Sequence, residues 1–394
     1  MGSVLILAAL AAGQPERSVF AAVGPGGERP VGRLVRLGNG TVEIATPDGA
    51  VTVADVVSLR RVGVTRPAFP RGSGLLTTTG DRLPGTLLGG SAEALRFQFA
   101  VAEDPWTVPL PAVSVAWLGT PPAGTPPDPD RVTWLGPNRK RDLLRLRNGD
   151  TASGTVVGFA ADDETITFKS DGGQERAVPF GTVAAVAFNP ALAVSRRPKG
   201  AYTLAVLRDG TRLHLVGAAA DETTLRGKTL FGQAVELPIS RVVALDTQRG
   251  KATELSGLRP KAEQGGFLGV TWPWAADRTV RGKPLSLLTA NGVETFDHGL
   301  GTHPRTVLTY DLAGKYRRFE ALVGLDPVSG RQGRAVVRVA VDGKEVTLAD
   351  LTPGPAVPVR VELAGAKLLT LTVESGAAGD VQADVNWADA RLFE

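Results

Sequence analysis

The chain has 394 residues, room for two to four domains at roughly 100 to 200 residues each. Its 48 glycines and 28 prolines, with 43% apolar and 21% charged residues, make a globular but turn-rich chain and argue against a helical bundle or coiled coil. The absence of cysteine excludes disulfide frameworks, thiolate metal sites and cysteine nucleophiles, and the three histidines leave little for a His-rich zinc site or a Ser-His-Asp triad. The net charge of +4 is spread evenly, so no segment reads as a polybasic arm.

Val4 to Ala12 (VLILAALAA) is apolar, too short to span a bilayer, and followed at once by polar sequence. With Ala9 and Ala11 ahead of a cleavage point, residues 1–13 fit a secretory signal peptide, although its n-region lacks Lys or Arg; a buried first strand is the alternative. No later stretch is long enough for a membrane anchor. The expected location is secreted or periplasmic.

Residues 14–250 repeat. A turn glycine opens each of four copies: Gly27-Glu-Arg-Pro-Val-Gly32, Gly80-Asp-Arg-Leu-Pro-Gly85, Gly149-Asp-Thr-Ala-Ser-Gly154 and Gly210-Thr-Arg-Leu-His-Leu215, the last with leucine where the others keep a second glycine. In the last three copies a proline follows at matched spacing (Pro109, Pro179, Pro238), and a valine comes four residues later (Val113, Val183, Val242). Each copy alternates with period two between turns, as in Thr165-Ile-Thr-Phe-Lys169, which predicts a small antiparallel sheet that closes as a barrel. The Leu-x-Leu-x-Asn-Gly-x-x-x-x-Gly pattern resembles Sm-like or SH3-like barrels. The copies fall at 14–66, 67–119, 132–195 and 196–250, and the proline-rich segment 120–131 reads as a semi-rigid linker. A polar segment at 251–265 reads as a second linker.

From 266 to 394 the strands are longer: Thr306–Tyr310, Ala335–Val341, Val357–Val361 and Leu368–Val373, with a tight turn at Asp342-Gly343. The expected fold is all-β, tandem small barrels followed by a jelly-roll β-sandwich. Phe267-Leu-Gly-Val, Gly299-Leu-Gly-Thr-His303 leading into Leu308-Thr-Tyr-Asp-Leu312, Tyr316-Arg-Arg-Phe319 with Val323-Gly-Leu-Asp326, and the closing Asn386-Trp-Ala-Asp-Ala390 resemble the NPCBM domain. The resemblance implies a galactose-binding-like sandwich that binds carbohydrate through loops at one end. Pro304-Arg305-Thr306 departs from the small polar residue usual after the Gly-x-His turn.

Sugar binding needs an apolar face for the ring and planar polar groups for its hydroxyls. Trp272-Pro273-Trp274 offers two indoles that an extended backbone would set on one side, and Asp277 and Arg278 follow as hydrogen-bonding partners. The bland alternative puts one indole in the core and the other over the sandwich. His303 and Arg305 complete the candidate ligand set, with His303 also suited to fixing its turn through a backbone carbonyl. Trp387 reads as core. No cofactor is expected; Asp326, Asp384 and Asp389 are weak calcium candidates, because they form no dense Asp-x-Asp array. His298 lies near His303 in sequence, but without a third nitrogen or sulfur ligand the two make no closed zinc site.

No catalytic residue is assigned, and the chain reads as a non-enzyme. Asp162-Asp163-Glu164 suits an exposed hairpin turn better than a carboxylate pair, and His214 stands isolated on a strand. Nucleic acid is an unsuitable partner, since the turn arginines Arg82, Arg145, Arg147, Arg208 and Arg212 have little aromatic interleaving beyond Phe159, Phe168 and Phe180. The expected function is exported carbohydrate binding, the repeats serving as spacer or interaction platform. The rivals are a cryptic or accessory hydrolase component and a module that docks envelope proteins.

Overall fold

The computed structural model describes residues 18–119, 135, 139–160, 162, 164–194, 197–265, 271–328, 332–377 and 379–394. The apolar run Val4–Ala12, the proline-rich segment 120–131, the Phe267-Leu-Gly-Val motif and Asp163 lie outside these. Among the described residues the protein is all-β, and no helix is long and apolar enough to cross a membrane.

Residues 19–248 fold as four five-stranded units. The fourth is Tyr202–Leu207, Arg212–Asp221, Thr224–Thr229, Ala234–Pro238 and Val242–Gln248. In each unit the first strand pairs with both the second and the fifth, which rolls the sheet into a small barrel. The repeated residues explain themselves here. A Cβ at Gly85 would sit 2.1 Å from Gln98 O, and one at Gly154 2.3 Å from Lys169 O, so the second strand bends against the third only where the side chain is absent. Leu215 replaces that glycine in the fourth unit and is itself fully buried. Pro109, Pro179 and Pro238, with φ near −60°, each lead a short 3-10 turn into the buried valine that starts the fifth strand.

The barrels pair within the chain. Fifth strands join the first unit to the fourth (Leu59 opposite Leu245) and the second to the third (Ala116 opposite Val186). Second strands make matching shorter contacts, Leu37 opposite Ala220 and Gly90 opposite Phe159. One continuous apolar core results, with Phe20, Phe97, Ile166 and Leu225 contributed by successive units. Between the second and fourth units, His214 Nδ1 lies 2.7 Å from the fully buried carboxylate of Asp81. Burial pushes that carboxyl up, and the imidazole with its hydrogen bonds outweighs burial and holds it below the usual range. His214 is therefore a tie between barrels, not an isolated surface residue.

The C-terminal part is a sandwich of two antiparallel sheets. One orders Ala275–Ala276, Gly299–Thr302, Val385–Phe393, Arg318–Leu325 and Val357–Glu362; the other orders Lys261–Gln264, Thr306–Asp311, Leu368–Ser375, Ala335–Val341 and Lys344–Leu351. Their inner faces close over Leu308, Phe319, Val337, Leu371 and Trp387. Residues 251–265, expected as a linker, belong to the sandwich: Ala252–Glu254 pairs with the last strand and Lys261–Gln264 with Thr306–Thr309. These are short edge strands without apolar alternation: Ala252–Glu254 is half-buried, with Glu254 paired to Arg391, and Lys261–Gln264 is mostly exposed.

Repeats and sandwich meet across buried charge. Arg66, in the connection between the first two units, lies 2.7 Å from Asp297 and 3.0 Å from Asp246, while Arg212 reaches Asp297 at 3.0 Å and Arg391 reaches Asp246 at 3.4 Å. Arg66, Arg212 and Asp246 are at most 2% exposed. Burial alone would lower the Arg66 guanidinium, but Asp246 and Asp297 outweigh it and hold it protonated.

Candidate functional site

The strand Gly299–Thr302 sorts the candidate residues. It pairs with Ala275–Ala276, Ala275 opposite Gly301 and Ala276 opposite Leu300, so the segment 272–278 runs antiparallel along it. Trp272 therefore falls beside His303 at one end, and Asp277 beside His298 at the other. The expected cluster of two indoles with Asp277 and Arg278 does not come together.

Trp274 packs against the sandwich core. Asp277, with φ of 55°, accepts hydrogen bonds from Gly299 N at 3.1 Å and His298 Nδ1 at 3.4 Å, a local clamp on the strand end. Burial pulls the His298 imidazole down, and Asp277, Glu254 and Asp297 push it up to about 10, so this histidine is protonated at neutral pH. Arg278 passes with its carbonyl close over Gly301: a Cβ there would sit 2.4 Å from Arg278 O and 2.5 Å from Val280 N. Glycine at 301 is what lets the chain fold back across the strand.

That fold-back brings in a residue that sequence reasoning missed. Thr279 and Lys283 close a turn, Thr279 N donating to Lys283 O at 2.9 Å and Lys283 N to Thr279 Oγ1 at 3.1 Å, with Arg281 at its tip. Arg281 Nε then lies 2.6 Å from Asp384 Oδ2, and its guanidinium carbon 5.1 Å from the centre of the Trp272 ring. Trp272 stacks on His303, with centroids 5.8 Å apart and planes at 28°. His303 Nε2 lies 3.9 Å from Asp384 Oδ1, and its Nδ1 lies 3.2 Å from Pro304 O. Gln264 Nε2 donates to Trp272 O at 3.0 Å, so the edge strand Lys261–Gln264 holds the indole's backbone.

Beside this group, Arg305 (φ 68°) extends its Nε to 3.1 Å from Asp380 Oδ2. Both Arg281 and Arg305 are 46% exposed at the side chain, whereas their partners Asp384 and Asp380 are 1% and 8% exposed. Each guanidinium is thus paired with a buried carboxylate while about half of its side chain stays exposed. Arg281 offers a planar, charged donor group at a half-buried indole.

The metal candidates are engaged otherwise. Asp384 serves Arg281, Asp389 Oδ1 lies 3.4 Å from Arg391 Nη2, and Asp326 Oδ1 accepts from Val328 N at 3.0 Å. Among the described residues no group of three or more His, Asp or Glu side chains could hold a metal ion. Asp162 and Glu164 are exposed at a hairpin turn. Trp387 is fully buried and donates from Nε1 to Thr302 Oγ1 at 3.3 Å.

Residues 251–393 match the NPCBM/NEW2 domain. The chain is 31% identical over 114 residues to a protein of Renibacterium salmoninarum named "Putative endo-alpha-N-acetylgalactosaminidase", a stretch that covers 28% of this chain and 7% of that relative, so the chain spans a small part of its length. Among solved structures it is similar to CBM51 from Clostridium perfringens GH95 in complex with methyl-galactose, at 28% identity over 36% of this chain and 99% of that one, with a TM-score of 0.33. A second similarity is to tandem CBM51 modules of a family 98 glycoside hydrolase from Streptococcus pneumoniae, at 14% identity over 68% of this chain and 92% of that one, with a TM-score of 0.34. The NPCBM/NEW2 match coincides with the C-terminal sandwich, including its edge strands Ala252–Glu254 and Lys261–Gln264.

Proposed function

We propose that the protein is an exported, non-enzymatic carbohydrate-binding protein. It takes a glycan at the Trp272–His303 end of its sandwich, and the four barrels are the rigid platform that presents this end. The observation that carries the reading is the half-exposed guanidinium of Arg281, fixed by the buried Asp384 and lying 5.1 Å from the centre of the Trp272 ring, which His303 stacks against. Vicinal hydroxyls match the fork of a guanidinium, and the indole supplies apolar contact to the ring; donors already immobilised lose little entropy on binding. The carboxylates at this end are engaged by arginine, which suits recognition better than proton transfer to a glycosidic oxygen. The apolar run Val4–Ala12 supports export.

The 31% identity to a protein named for glycosidase activity favours a second reading, in which the chain serves as the carbohydrate-binding accessory of a glycoside hydrolase. A glycan array probed with the purified chain, including terminal galactosides and N-acetylgalactosaminides, tests the principal reading. Selective binding that is lost in Trp272→Ala and Arg281→Ala is expected, and an array without any bound glycan would overturn it.

A further inference from the structure

Between the first barrel and the sandwich lies a cleft of about 410 Å³, and none of its lining residues belongs to the Trp272 group. Its apolar lining includes Val23 from the barrel and Leu322 and Pro358 from the sandwich, and Arg29, Arg60 and Arg360 line it from both sides. Small-ligand sites are typically concave, mostly apolar, a few hundred Å³ in size and common where domains meet.

The polar lining is short of acceptors. One carboxylate, Glu320, is shared by three arginines: it pairs with Arg29, lies 2.7 Å from Arg318 Nε and 3.8 Å from Arg360 Nε. Arg360 has a further approach to Glu362 at 3.6 Å, but that carboxylate is 68% exposed and solvent-screened. On the other side Arg60 Nη2 lies 3.1 Å from Glu294, yet its Nε, like the Nε of the buried Arg66, has no hydrogen-bond partner among the described residues. Asp246, 3.0 Å from Arg66 and 3.4 Å from Arg391, and Asp389, 3.4 Å from Arg391, also line the cleft, so three carboxylates with Glu320 face five arginines, Arg29, Arg60, Arg66, Arg360 and Arg391. Buried guanidinium donors without acceptors are costly, and an oxygen anion entering the cleft supplies the missing ones.

We propose that this cleft is a second binding site, for a ring-bearing organic anion the size of one acidic sugar residue, held through its carboxylate or sulfate by Arg29, Arg60 and Arg360 with its ring against Leu322 and Pro358. The site is independent of glycan binding at Trp272. Arg29 and Arg360 are about half exposed, so replacing either leaves the fold intact.

Calorimetric titration of the full chain with glucuronic acid and with galactose 6-sulfate tests it, using methyl galactoside as the neutral probe and inorganic sulfate as the bare anion. The expected result is binding of at least one acidic sugar that weakens as salt rises, falls at least about tenfold in Arg360→Gln and in Arg29→Gln, and persists in Trp272→Ala. Whether glucuronic acid or galactose 6-sulfate binds more tightly identifies the anion. Binding of neither acidic sugar, acidic-sugar binding unchanged in both arginine variants, or inorganic sulfate binding as tightly as the ringed anions would each overturn the assignment. Unchanged thermal midpoints in both variants keep a lost signal attributable to the cleft.

Discussion

The indole of Trp272 and the imidazole of His303 stack with centroids 5.8 Å apart, although 31 positions separate them, because the segment 272–276 runs antiparallel to the strand ending at Thr302. The stack is half-buried at the indole and buried at the imidazole, so it reports the same loop end that carries Arg281 and Asp384.

Asp384→Asn is expected to weaken glycan binding without abolishing it. Arg281 would keep a neutral acceptor at 2.6 Å but lose the charge that holds its guanidinium in place, so affinity should fall by about three- to tenfold, roughly 0.6 to 1.4 kcal/mol. Arg281→Ala should cost more, because it removes the donor itself. Calorimetry of both variants against the same glycan checks the order; equal losses would mean that Asp384 itself touches the sugar.

Asp297→Asn should destabilise the folded chain by about 3 to 5 kcal/mol, since Arg212 would lose its paired carboxylate and Arg66 would keep only Asp246, both guanidiniums being nearly fully buried. Urea unfolding measures it, and a change below 1 kcal/mol would show that water enters the interface.

The same network sets the response to pH. Burial pushes the Asp297 carboxyl up, but Arg212 and Arg66 hold it below the ordinary range, so its contribution is present above the unfolded value of about 3.9 and lost as pH falls through the folded value. His298 acts in the opposite direction. Its folded value of about 10 lies above the unfolded value, so its contribution is complete below about pH 6.5 and is lost as pH rises towards 10, on the order of a few kcal/mol. Thermal midpoints should therefore decline between pH 7 and 10, and His298→Gln should flatten that decline. An unchanged slope in the variant would assign the alkaline loss elsewhere.

Gly154→Ala is expected to destabilise by about 1 to 3 kcal/mol, because its Cβ would fall 2.3 Å from Lys169 O and the second strand must move away. At the corresponding position of the fourth unit alanine should destabilise for the opposite reason: Leu215→Ala opens a cavity and costs about 2 to 5 kcal/mol. Chemical denaturation of the two variants checks the pair; tolerance of alanine at 154 would mean that the repeat glycine is not set by strand approach.

The four-barrel architecture was legible because its determinants are local: a turn glycine, a glycine at the strand bend, and a proline that starts the 3-10 turn all recur at fixed spacing. The sandwich was legible from its long alternating strands, but Ala252–Glu254 and Lys261–Gln264 were not, since strands of three and four residues are too short to show an alternating apolar face. Trp272, His303 and Arg305 were found as residues suited to sugar. Arg281 was not, because its place depends on the fold-back over Gly301 and on Asp384, 103 positions away. The pairing of Trp272 with Trp274 was expected from a continuous extended segment, and the strand at 275–276 instead turns Trp274 to the core. Arg66 and Asp297 are 231 positions apart, so no local pattern announces the charged joint between repeats and sandwich.

The most direct measurement is titration of the full chain and of Trp272→Ala with a glycan selected from the array. The account predicts saturable binding by the unaltered chain and a loss of at least about tenfold, 1.4 kcal/mol or more, in the variant, with both proteins melting at the same temperature. Equal affinity in the two, at equal stability, would contradict it.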